Sequence, residues 1–355
     1  MAENKWQHFV PQFYFKNFSK DSETICGYHI KTKKHYISLI VSQSAKNYFY
    51  SKNVGIEKSF SPIEAQFNAI LKKIIENDDF QILTGYEYME MLRFISFQVS
   101  RTEKAKKLAD DFVDKMFDKV LKPIMKSNKE IMSKITPEEV DKVRLVYPGA
   151  FLLEVVSSLE ANILLTDLVP AVIINKTDQD FIFSDNPVIF YNLIYRDPTH
   201  SFEGYQSPGL IVFCPISSKK CLLLFDPVYY DIQLNKNKVE VTNKEDIKAI
   251  NKLQFHNSCE NIYYQSESQK SILDQISKEY FERYTKEKDL AQIKEVPKWE
   301  GGNNSLLVTS KKGIPEKISL SFVKCGQHKQ EVCVVLDAKL KELYDEKMKL
   351  YGIKK

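Results

Sequence analysis

Apolar positions follow two different periods along this chain. Between residues 61 and 165 they recur every three or four positions, which marks helices with one buried face; from 171 to 265 they come in short β-branched and aromatic runs separated by turns. The clearest helical signal is Ser61-Pro62-Ile63-Glu64, a cap serine, a proline at the first helical position and a glutamate three residues after the cap. Behind it Ile63, Phe67, Ile70, Leu71 and Ile74 share one face. A second helix is predicted from Gly85, carrying Leu92, Ile95 and Val99 and continuing through a charged stretch to about Leu121, before Pro123. A third starts at Thr136-Pro137-Glu138-Glu139, is interrupted by Pro148-Gly149 and resumes over 150–165.

Period-two and all-apolar runs predict the strands. At the front, Pro11 stops any early helix, and 24–30 and 35–40 form a hairpin. Runs at 171–175, 180–183, 187–191, 209–216 and 221–225 predict one largely antiparallel sheet. A further hairpin is expected from 231–234 and 239–242 around Asn-Lys-Asn-Lys, then a helix capped at Asn243, a strand at 262–265 and a helix over 267–285. Beyond Lys286 the composition turns polar and Gly301-Gly302-Asn303-Asn304 reads as a linker, followed by strands at 317–323 and 331–336 and a charged helix at 337–351. The expectation is an α+β fold, a helical bundle packed on a largely antiparallel sheet, with a main domain over 1–285 and a small C-terminal extension over 286–355.

Composition narrows the function classes. The net charge of +4 over 355 residues is too dilute to announce a nucleic-acid binder, and 11 glycines are few for a Rossmann or P-loop protein, neither of whose fingerprints occurs. The six cysteines lie in apolar surroundings without Cys-x-x-Cys spacing and read as buried free thiols. Residues 1–10 lack a signal-peptide core, and the most apolar stretch, 151–175, is broken by Glu154, Glu160 and Asp167. A cytoplasmic protein with no membrane partner is expected.

The opening His8-Phe9-Val10-Pro11-Gln12-Phe13-Tyr14, running into Asn17-Phe18, resembles the start of the domain of unknown function 4238 family, found mostly in bacteria. The resemblance extends through Ser61-Pro62-Ile63-Glu64, Phe94 with Gln98-Val99-Ser100-Arg101, Ser184-Asp185-Asn186-Pro187 and Pro215-Ile216-Ser217, in matching order over about 6–265. It supplies kinship without an activity. It implies a setting, since such genes resemble accessory genes of bacteria and phages, where antiviral defence proteins and toxins are frequent.

Several of these residues carry candidate chemistry. His8 is either a general base or metal ligand, or a histidine bonded inside a packed arm with Gln12 close by. Glu64 is either a metal-binding or basic carboxylate or the glutamate of a capping box. Gln98 and Arg101 share a helix face, and a guanidinium with its back to the core calls for an anion, whether Glu64, Asp185 or a ligand phosphate. Ser184-Asp185-Asn186-Pro187 is either a turn between strands or a rigid loop presenting a catalytic carboxylate and Asn186 to a substrate. His256 and Cys259, three residues apart, read as incidental, and Lys31, Lys33, Lys34 and Lys104, Lys106, Lys107 as solvated faces.

Two functions follow. In the first, His8, Glu64 and Asp185 bind Mg²⁺ or Mn²⁺ while Gln12, Gln98, Arg101 and Asn186 hold substrate, giving a metal-dependent hydrolase, a nuclease or phosphoesterase effector of bacterial antiviral defence. In the second, the same residues build a non-catalytic sensor for a phage protein, nucleic acid or nucleotide. Convergence of His8, Gln12, Glu64, Arg101 and Asp185 in one pocket is the observation that separates them.

Overall fold

Pro11 does not end a helix but begins one. The structure is a computed structural model describing residues 6–53, 55–145, 149–196, 202–286, 291–296, 306–311 and 313–326. In it β1 (Trp6–His8) leads through Pro11, extended at φ −66°, into a short α1 (Gln12–Lys16). The fixed φ of proline suits the residue before a first turn, and Tyr14 and Phe15 on that turn are buried. The expected hairpin follows as β2 (Thr24–His29) and β3 (Lys34–Leu39), and β4 (Ala45–Asn47) returns to pair antiparallel with β1, His8 opposite Ala45. In β2 the Tyr36 ring lies across Gly27, where any Cβ would overlap it.

The first long helix, α2 (Gly55–Asn77), starts six residues before Ser61, so Pro62 sits in its interior and no capping box forms at Glu64. Tertiary contacts hold these early turns: Phe60 is buried edge-on against Tyr50 and Phe97, and Glu57 accepts the His8 amide at 3.1 Å. Pro62, on the exposed side, costs the bond its missing N–H would have made to the Lys58 carbonyl. The second long helix is likewise two elements, α3 (Gly85–Ser100) and α4 (Glu103–Met116). Thr84 and Glu87 form a capping box on α3; Thr102 caps α4 through the Ala105 amide and leaves Arg101 at the corner with φ −96°, ψ 4°. A π turn (Phe117–Leu121) joins α4 to α5 (Lys122–Ser127), followed by α6 (Lys129–Met132), α7 (Pro137–Lys142) behind the expected Thr136 box, and α8 (Gly149–Ser158).

The strand region forms two main sheets where one was expected. In order along the chain come β5 (Val169–Asn175), β6 (Phe183–Ser184), β7 (Ile189–Asn192), β8 (Leu210–Ser217), β9 (Lys220–Phe225), β10 (Tyr230–Asp231) and β11 (Lys238–Val241). Then come α9 (Lys244–Asn257), capped by Asn243, β12 (Asn261–Tyr264) and α10 (Lys270–Lys286). A five-stranded sheet runs β11-β5-β9-β8-β7, antiparallel except for the parallel pair of β11 with β5; a four-stranded antiparallel sheet runs β3-β2-β12-β6. The hairpin expected at 231–242 is reduced to a single antiparallel bridge, Asn235 with Lys238, because β11 finds its partner in β5 and β10 finds its own in β15 (Lys324–Cys325).

β8 shows how the core is divided. Leu210, Val212, Cys214 and Ile216 face the core shared with α1 to α4 and α8, while Ile211 and Phe213 face a second core with Ile247, Ile250 and Leu253 of α9. A third cluster packs Tyr28, Ile262 and Tyr264 of the smaller sheet against Leu273 and Ile276 of α10. The result is the expected α+β architecture with antiparallel pairing dominant. Of the thiols, Cys214 and Cys221 are buried, but Cys26 and Cys259 are half-buried and Cys325 is exposed. No helix among the described residues is long and apolar enough to cross a membrane.

In the C-terminal stretch β13 (Ala291–Val296) and β14 (Leu306–Lys311) pair antiparallel, an element the polar composition concealed. Residues 317–323 form no strand; Ile314 and Leu320 sit in the second core, and Ser321 donates to Asp246. The linker at 301–304, the strand at 331–336 and the helix at 337–351 lie outside the described residues.

Candidate functional site

A cleft of about 470 Å³ opens between α2 and the segment joining β1 to α1. Its α2 wall carries Glu57, Lys58, Ser61, Glu64, Ala65 and Asn68, which recur at helical spacing on one face; the other wall is His8, Gln12 and Phe13. This face exists only because α2 starts upstream of Pro62, which brings Glu57 one turn and a half before the expected start into line with Glu64.

Arg101 stands behind the cleft, fully buried. Its Nη1 donates to Glu64 Oε1 at 2.6 Å, Nη2 to the His8 carbonyl at 2.6 Å and Nε to the Tyr50 hydroxyl at 2.8 Å, while the guanidinium plane lies over Phe97, 4.7 Å from its centroid. Burial opposes the charge, but Tyr50 and Glu64 outweigh it and hold Arg101 above its ordinary range. The corner between α3 and α4 turns this side chain inward. Every edge of the guanidinium is thus occupied by protein, so Arg101 positions the cleft rather than facing a phosphate.

His8 and Glu57 are fixed next to each other. The His8 amide donates to Glu57 Oε1, and Glu57 Oε2 is buried without a partner among the described residues. His8 Nε2 lies 3.0 Å from the Val41 carbonyl, which requires the proton on Nε2, and 3.5 Å from Gln12 Nε2. That tautomer leaves Nδ1 as a lone-pair acceptor. Burial lowers the His8 pKa despite the Val41 carbonyl and Glu64, and burial raises that of Glu57 despite the His8 amide and Arg101. An imidazole kept neutral and a carboxyl inclined to hold its proton make a base and an acid on neighbouring residues.

The remaining expected residues lie elsewhere. Gln98 donates to the Phe9 carbonyl at 2.9 Å and does not line the cleft. Asp185 is not there either: Oδ1 accepts the Cys259 amide at 2.7 Å, and Oδ2 accepts those of Glu260 and Asn261 at 2.7 and 2.9 Å. Burial raises its pKa to about 6 against these three amides. The Ser-Asp-Asn-Pro segment is the crossing from β6, an edge of the smaller sheet, to β7, an edge of the larger. Amides of α9 satisfy its backbone: Asn251 bonds the Ile182 amide and Asp180 carbonyl, Gln254 the Pro187 carbonyl, and Asn257 the Asn186 and Val188 carbonyls. Asn186 in turn donates to the Asn257 carbonyl at 3.1 Å. One helix face, at spacing three, stands in for a missing strand neighbour.

His8, Gln12 and Glu64 therefore converge with Arg101 behind them, and Gln98, Asp185 and Asn186 do not join them. Glu57, Lys58, Asn68 and Tyr50 escaped the sequence reading. Their signal was Asn53, whose side chain accepts the Gly55 amide at 2.9 Å and opens the helix, masked by the stronger Ser-Pro cue. Among the described residues no group of three or more His, Cys, Asp or Glu side chains is placed to hold a metal ion. Cys259 touches Lys107 Nζ at 3.1 Å, and burial, with Asp185 and Glu103 adding to it, pushes its thiol up to about 12.

The family model described as protein of unknown function (DUF4238) matches residues 6–268, a span that holds every cleft residue and the crossing under α9. No protein of curated function and no solved structure matches the chain.

Proposed function

The chain belongs to this family of proteins of unknown function, and from that premise we propose that the cleft between α2 and the β1–α1 segment is a hydrolytic site for phosphoesters. The observation that carries the reading is the fixed His8–Glu57 pair with opposed pKa shifts. His8 Nδ1 takes a proton from the attacking water, the water oxygen bonds phosphorus as the ester P–O bond breaks, and Glu57 protonates the leaving oxygen. Lys58, which has no partner among the described residues, offsets the phosphoryl charge at the cleft mouth. The proposed setting is an effector role in bacterial antiviral defence.

The test is cleavage of a chromogenic phosphodiester, nucleotides, RNA and DNA by purified protein, in EDTA and with Mg²⁺ or Mn²⁺. We expect turnover that falls at least ~100-fold in His8→Ala. No cleavage under any condition, or full activity in His8→Ala, sinks the reading. The second reading, a non-catalytic sensor, is favoured by Ser61 and Asn68, whose side chains have no partner among the described residues and offer recognition without chemistry. It requires ligand binding with no turnover.

A further inference from the structure

We infer that the cleft takes a single adenine nucleotide, with Asn68 reading the base and Lys58 holding the phosphate. The inference rests on the reading of this cleft as the functional site and narrows its ligand. A space of about 470 Å³ falls within the range of small-molecule pockets, and one nucleotide fills it where a duplex cannot enter. Lys58 and Asn68 are ten residues apart on one helix, a rise of about 15 Å, of the order of the length of a nucleotide from base edge to phosphate.

Each end has the matching chemistry. The Asn68 carboxamide, half-buried and without a partner among the described residues, offers one donor and one acceptor side by side, the pattern that meets the adenine amino group and its adjacent ring nitrogen. Gln12, across the cleft, supplies a second amide, and Phe13 a ring edge or face for the base. At the other end Lys58 carries an ammonium with no carboxylate committed to it among the described residues. Glu64 lies between the two ends, where a ribose hydroxyl donates to it, and Glu57 stands beside Lys58 at the phosphate end, where its carboxyl meets the ester oxygen.

Calorimetric titration of the full chain with AMP, UMP and inorganic phosphate tests this, using wild type, Asn68→Ala, Lys58→Ala and His8→Ala. We expect AMP to bind at least tenfold tighter than UMP, the preference to vanish in Asn68→Ala, and both nucleotides to weaken about tenfold in Lys58→Ala. Unchanged melting temperature in the two α2 variants keeps a folding defect from imitating the result. Equal binding of AMP and UMP, or no AMP binding at millimolar concentration, overturns the inference. Selective AMP binding retained in His8→Ala, with no phosphoester cleaved by wild type, supports it while sinking the hydrolytic reading.

Discussion

Arg101 donates to the carbonyl oxygen of His8 at 2.6 Å, a bond that spans 93 positions of sequence and fixes the backbone on which the cleft histidine stands. The same guanidinium holds Glu64, so one buried cation sets both walls. Arg101→Ala leaves Glu64 without its guanidinium and the His8 carbonyl with the Tyr50 hydroxyl as its remaining donor, at 3.0 Å, and a loss of roughly 3–5 kcal/mol is expected in denaturant unfolding. Arg101→Lys keeps the charge, but its three donors share one nitrogen and cannot span the Tyr50, Glu64 and His8 oxygens as the planar guanidinium does, so it should recover less than half of that loss. Wild-type stability in either variant contradicts the clamp.

A second expectation concerns Pro62. As an interior residue of α2 on the exposed side it forfeits a helical bond, so Pro62→Ala should stabilise the protein by about 1–3 kcal/mol, read from the urea midpoint. Had the helix begun at Pro62, the same change would be neutral or destabilising.

The motif that misled is instructive. Ser-Pro-x-Glu is a local signal, and α2 overrides it with contacts that sequence spacing does not reveal: Phe60 on Tyr50 and Phe97, Glu57 on His8. Where neighbours are close in sequence the pattern was legible, as in the β2–β3 hairpin, the Thr136 box and the Asn243 cap. Where the partner is remote it was not, as with β11 beside β5, or the corner at Thr102 inside an unbroken charged helical pattern. Of the candidate residues named from the sequence, His8, Gln12 and Glu64 share the cleft with Arg101 behind them, whereas Asp185 lies elsewhere. A buried carboxylate that three backbone amides saturate looks, in sequence, the same as one offered to a substrate.

Asp185 has a distinctive effect on stability. Its folded pKa, about 6, stands above the ordinary 3.8, so the folded state binds the proton more tightly and stability from this residue falls as pH rises from about 4 to 6. In Asp185→Asn that slope should disappear. The difference between wild-type and variant unfolding free energies should change by about 1–3 kcal/mol between pH 4 and pH 7, measured by urea titration. A constant difference across that range rules out the shift.

For the cleft itself the active form has His8 neutral and Glu57 protonated. Since burial lowers the first and raises the second, kcat/KM for phosphoester cleavage should be bell-shaped, with the acid limb set by His8 below 6.5 and the alkaline limb by Glu57 above 4.5. Glu57→Gln should lose the alkaline limb and keep the acid one. A profile rising steadily to pH 9 points to a different base.

The amides of α9 bear on more than the crossing they satisfy. By engaging the chain between β6 and β7 they occupy backbone groups at the point where an edge strand of each main sheet ends, groups that would otherwise be open to a foreign strand. Of the two main sheets, the edges away from this crossing are β3 and β11, and of these two β3 carries large exposed apolar side chains, Ile37 and Leu39. Between the two main sheets, strand addition by another chain is therefore expected at β3, on the hairpin side, and a charge at Ile37 or Leu39 should oppose it.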